Sequence, residues 1–163
     1  MSPVHRGSRT RVATTRVLAL SVAAALASGA AIAHAQKAAL QWGPAPASLP
    51  PGARMAIVSG NPGKPGPFTI RLSLPSGFEV PPHFHPVDEH QTLISGRIGH
   101  GMGDTVDLES VNWLRPGQSV TLPAHAHHYV RTRGRTLVEV SAVGPFVVTY
   151  VNRRDDPRER GKR

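Results

Sequence analysis

No cysteine occurs among the 163 residues. That excludes disulfide staples, thiol chemistry and lipidation on Cys. Heptads and any sustained 3.6-residue period are missing beyond the first 35 residues, which leaves helices little room there. Long apolar runs are also scarce. The one that exists, Val17 to Ile32, is Ala-rich and broken by Ser28-Gly29. It falls below the ~20 strongly apolar residues that a membrane span needs. Arg6, Arg9, Arg11 and Arg16 precede it, and Ala33-His34-Ala35 follows. A basic start, a short apolar core and a small-x-small end describe a helical secretory signal peptide over residues 1–35, cleaved after Ala35. No twin Arg precedes the apolar run, so the general secretion route is expected. The mature protein is then expected in the periplasm or outside the cell, with no stable membrane anchor.

Setting the leader aside reduces the positive charge. It takes four of the 19 Lys and Arg, leaving 15 against 10 acids. Arg131, Arg133 and Arg135 alternate as they would along one strand face, a pattern that guards an edge strand against pairing. Six cations between Arg153 and Arg163 are interleaved with Asp155, Asp156 and Glu159. With no aromatics and no reader motif among them, they read as a solvated, loose terminus. Nucleic acid is not an expected partner.

What the chain does have is glycine and proline, 16 of each. They separate short runs of strand character: Arg54–Ser59, Phe68–Leu74, Gln91–Ile98, Val106–Leu108, Ser119–Leu122, His127–Thr132, Thr136–Ala142 and Phe146–Val151. GHGMGD, among others, reads as punctuation between them. Regular short strands with turn signals predict an all-β sandwich or barrel. The expected layout is a Pro/Ala-rich extended arm over 36–53, anchored by Leu40 and Trp42, one β domain over 54–151, and a charged tail over 152–163. A mature chain of this size buries about two-thirds of its unfolded surface and needs no staple.

Seven of the nine histidines fall between His83 and His128. In GFEVPPHFHPVDEHQTLISG, His83 and His85 stand two apart, so on a strand both imidazoles face one way. Pro86-Val87-Asp88 reads as a turn. Beyond it Glu89 opens the next strand and can bring a carboxylate to the same point. His90 is its rival, but strand alternation turns it to the opposite face, whereas Gln91 shares the face of Glu89. A further ligand is expected from LPAHAHHYV, where His125, His127 and His128 stand close together. Imidazoles with a carboxylate suit a divalent first-row metal.

The residues from Gly77 to Gly96 resemble the first motif of the cupin superfamily: G, five residues, H-x-H, three or four residues, E, six residues, G. Gly77, His83, His85, Glu89 and Gly96 fill it. The second motif is matched at Gly117, Pro123 and His128, with His125 in place of its second Gly and Thr132 in place of its Asn. The resemblance covers roughly residues 54 to 150. It implies a single-domain, RmlC-like cupin with a double-stranded β-helix (jelly-roll) barrel. It also implies that His83, His85, Glu89 and His128 are metal ligands, with Fe(II) or Mn(II) favoured and Zn, Ni or Cu compatible. Gln91, His125 and His127 are left as candidates to touch substrate or support a ligand. The implied activity is that of a dioxygenase or related oxidoreductase on a small chelating substrate. A non-catalytic module that binds or senses a small ligand is the alternative. Pairing into a homodimer through the arm and sheet edges is a further implication.

Overall fold

The computed structural model of the protein describes residues 39–160. The expected signal peptide and its cleavage site lie outside those residues. The described part is nearly all β. In chain order the strands are β1 (Trp42–Pro44), β2 (Arg54–Ser59), β3 (Gly66–Leu74), β4 (Glu79–Phe84), β5 (Glu89–Ser95) and β6 (Ile98–Met102). They continue with β7 (Asn112–Leu114), β8 (Ser119–Leu122), β9 (His128–Thr132), β10 (Thr136–Gly144) and β11 (Thr149–Tyr150). Two antiparallel sheets result, ordered β1-β2-β3-β10-β5-β8 and β11-β4-β9-β6-β7. This is the expected jelly roll.

Alternation fixes which side of each strand faces inward. In β10, Thr136, Val138, Val140 and Ala142 are buried, while the residues between them are partly or fully exposed. Phe68, Ile70 and Leu74 of β3 stand beside them in register. Each such apolar side chain taken fully from water stabilises the fold by about 1.5–3 kcal/mol. The outer faces of the same strands pair polar groups instead. Arg71 donates to Glu139 at 2.9 Å, and Thr69 meets Ser141 at 3.0 Å. A one-residue slip would exchange these faces, so the register is strongly specified.

Three expectations need correction. Val106–Leu108 is not a strand, and Val106 and Leu108 are exposed; the strand here is β7 at Asn112–Leu114. The glycine-rich run before it is not all turn, because Ile98–Met102 forms β6 in the middle of a sheet. Gly101 is there because the Tyr129 ring packs against its backbone, and a Cβ would lie 1.9 Å from that ring. Finally, Arg131, Arg133 and Arg135 do not share an edge-strand face. Arg131 lies on β9, an interior strand, and pairs with Glu79, whereas Arg133 and Arg135 occupy the turn that follows.

The flanks are better ordered than composition suggests. Trp42–Pro44 of the arm forms an edge strand on β2. In the tail, Arg153–Asp155 and Pro157–Glu159 form two 3₁₀ turns capped by Asn152 and Asp156. Arg158 donates to the Val148 carbonyl at 3.0 Å and pairs with Asp156. That anchors a segment read from sequence as loose.

Candidate metal centre

Two tight connections build the site. β4 carries His83, and His85 follows one residue beyond its end. The chain then crosses through Pro86–Asp88 to the other sheet, where Glu89 is the first residue of β5. His128 opens β9, directly opposite His83 in register. Asp88 accepts the Ala124 N–H at 2.8 Å, and the His125 N–H donates to the His85 carbonyl at 2.8 Å. The turn before β9 is thereby stitched to the turn before β5. His125 has φ 62°, so a non-glycine residue takes a left-handed conformation at the position where the second motif has Gly.

His83, His85 and His128 are buried, and their ligand atoms lie within 4.8 Å of one another. Each Nδ1 is bonded to a main-chain carbonyl: Pro81 at 2.7 Å, Val147 at 2.7 Å and Ala126 at 2.9 Å respectively. A carbonyl only accepts, so each Nδ1 carries the proton and each Nε2 is left to face the interior. Glu89 Oε2 lies 3.3 Å from His85 Nε2 and 3.6 Å from His128 Nε2. These three atoms are buried without a hydrogen-bond partner among the described residues.

Burial, together with the neighbouring His128 and His85, holds the His83 ring down at about 3, so it is neutral across the physiological range. Burial would push the Glu89 carboxyl up, but His128 and His85 against it outweigh that and keep it ionised. Without a cation, the bare Nε2 atoms of His85 and His128 face the Glu89 oxygen with no donor between them. A divalent ion among the three rings, with the Glu89 oxygen beside two of them, would answer these atoms together, and a buried polar group without a partner costs about 1–3 kcal/mol. The residues present therefore fit a metal.

The other candidates separate cleanly. Gln91 is buried on the inward face, where His100 Nε2 donates to its Oε1 at 3.0 Å. His127 is half-exposed and bonded to Asp104 at 2.5 Å, and His125 is exposed near Phe84. His90 points outward to Thr121 at 2.8 Å. Two interior neighbours had no role in the sequence reading. His100 sat in a run that looked like turn. Phe146 stacks on the His85 ring at 4.3 Å and meets Phe68 edge-on at 5.4 Å. Its aromatic type is the one sequence signal that could have marked it.

Comparison with known proteins shows which fold this β-sandwich shares. No family model matches the chain, and no curated protein matches it in sequence. Solved structures do. The polyketide cyclase RemF from Streptomyces resistomycificus superposes with a TM-score of 0.54 at 20% identity, over 68% of this chain and 79% of that one. A cupin 2 domain-containing protein from Halorhodospira halophila gives 0.53 at 18% identity, over 64% and 73%. The DMSP lyase DddQ from Ruegeria pomeroyi DSS-3 gives 0.51 at 22% identity, over 65% of this chain and 57% of the lyase. The fold is that of the cupin superfamily.

Proposed function

We propose that the protein is a metal-dependent cupin acting as an oxygenase-type oxidoreductase on a small chelating molecule. In this reading the Nε2 atoms of His83, His85 and His128 and a carboxylate oxygen of Glu89 hold one divalent ion, Fe(II) or Mn(II) before Zn, Ni or Cu. One observation carries it: three Nδ1 protons are committed to carbonyls, which leaves the three Nε2 lone pairs free, and those of His85 and His128 are buried with a Glu89 oxygen and no hydrogen-bond partner among the described residues. Such an ion, when bound, would supply Lewis acidity and, as Fe(II) or Mn(II), dioxygen chemistry. The backbone carbonyls orient the imidazoles and raise their basicity. Glu89 offsets part of the charge of the ion, and Phe146 shields the His85 side from water. The leader-like first 35 residues support export to the periplasm or beyond.

Oxygen uptake tests the reading. Protein purified without an affinity tag and loaded with Fe(II) or Mn(II) is assayed against a panel of diketones and catechols. Oxygen consumption that disappears in Glu89→Gln is the expected result. Protein that retains metal and gains thermal stability with a panel member, yet consumes no oxygen, would instead be a binding module.

A further inference from the structure

Between the sheets, a cavity of about 120 Å³ reaches the histidine cluster. Its wall is unusually uniform. Met55, Ile70, Leu72, Leu74, Val138 and Val140 represent its main lining, and among the described residues no Lys or Arg reaches it. Apart from His83, His85 and Glu89, the polar side chains on the wall are Gln91 and Ser48. Gln91 is held from across the barrel by His100, whose ring is almost wholly buried and whose Nδ1 has no partner among the described residues. The ring spans the two sheets, since His100 lies on β6 and Gln91 on β5. With its Oε1 occupied by His100, the Gln91 amide presents its N–H₂ as the donor available to a ligand.

We propose that the site takes a small, largely apolar ligand of about single-ring or branched-acyl size, whose adjacent oxygens reach the cation while Gln91 donates to one of them. The inference rests on the metal reading above and adds the substrate class to it. Size follows from the volume, since an apolar cavity of about 150 Å³ admits a benzene ring. Polarity follows from the wall. A sugar or other polyol would bury hydroxyls with too few partners. A dicarboxylate would bring a second anion beside Glu89 with no cationic side chain to receive it. An apolar body meets neither penalty.

Three hydroxamates with one chelating head and different bodies test this: acetohydroxamate, isobutyrohydroxamate and glycolohydroxamate. Calorimetric titration into zinc-loaded full-length mature protein reads affinity with a metal that does no redox chemistry. Isobutyrohydroxamate is expected to bind at least tenfold more tightly than acetohydroxamate, roughly the discrimination an extra methylene gives in an apolar pocket. Glycolohydroxamate should bind more weakly than either. Gln91→Met should weaken all three by a similar factor, roughly tenfold, with zinc content unchanged. Zinc retained with equal affinities, or with the hydroxylated probe tightest, overturns the ligand class and leaves the metal reading standing. Zinc not retained overturns both, and elemental analysis of the same sample tells the two failures apart. Unchanged affinities in Gln91→Met would remove its role as donor.

Discussion

The inner wall and the outer surface of the β-sandwich both carry histidines, and the two sets are wired differently. Inside, His83, His85 and His128 commit Nδ1 to main-chain carbonyls and turn bare Nε2 atoms toward one point. Outside, His90 and His127 find side-chain partners in Thr121 and Asp104 and sit in contact with water. The inner set has its tautomer and ring orientation fixed before any ion arrives. The outer set answers to side-chain partners at the surface and is committed to no common point. What marks a ligand here is an unmet need in a dry place, more than histidine spacing.

The sharpest way to break that contrast is to remove one ring from each side. His85→Ala should lower metal affinity by more than about 100-fold, beyond the range typical for losing a group that merely supports a ligand. His90→Ala should leave it unchanged, with inductively coupled plasma analysis after gel filtration as the readout. Equal loss from both would erase the distinction. Glu89→Gln, which keeps shape and removes charge, should cost about 10- to 100-fold in metal affinity.

Acid should act on the inner set in the metal-free protein. His83 and His100 titrate near 6.5 when unfolded, but burial first, with His128 adding to it and Glu89 opposing it, holds them at about 3 and about 4 in the fold. Between those limits the unfolded chain binds more protons, so stability rises with pH there. It is full above about 6.5 and is lost progressively as pH falls toward 4. The Tm measured at pH 7 should exceed that at pH 4.5 by several degrees, and His100→Phe should flatten the curve. A level Tm across that range would mean the rings are not dry.

The smallest expected effect belongs to His125. Its left-handed backbone costs a side chain about 1–2 kcal/mol, part of which glycine recovers at its own entropic cost. His125→Gly should raise Tm by a few degrees at most, with metal content unchanged. A large loss of metal would promote this exposed ring to the site.

Much of this was legible because strand alternation is a strict code. The inward placement of His83, Glu89 and Gln91 and the outward placement of His90 follow from a period of two, and the structure has them so. Gly96 was legible too: at φ 86° a Cβ there would lie 2.3 Å from the Arg135 carbonyl. The misses share a cause, which is tertiary contact overriding local chemistry. Gly-His-Gly in β6 looked like a turn because its glycines answer to Trp113 and Tyr129, residues distant in sequence. His100 was missed with it. Val106 and Leu108 have strand-forming side chains but no neighbour to pair with. Arg158 turned a loose tail into an anchored one through a single carbonyl that no sequence pattern announces.

The central claim is that three imidazole Nε2 atoms and one Glu89 oxygen share an ion. X-ray absorption spectroscopy on zinc-loaded mature protein tests it most directly. Outer-shell scattering from three histidine rings is expected, dropping to two in His128→Ala. A spectrum with one ring or none, unchanged by that substitution, would contradict it.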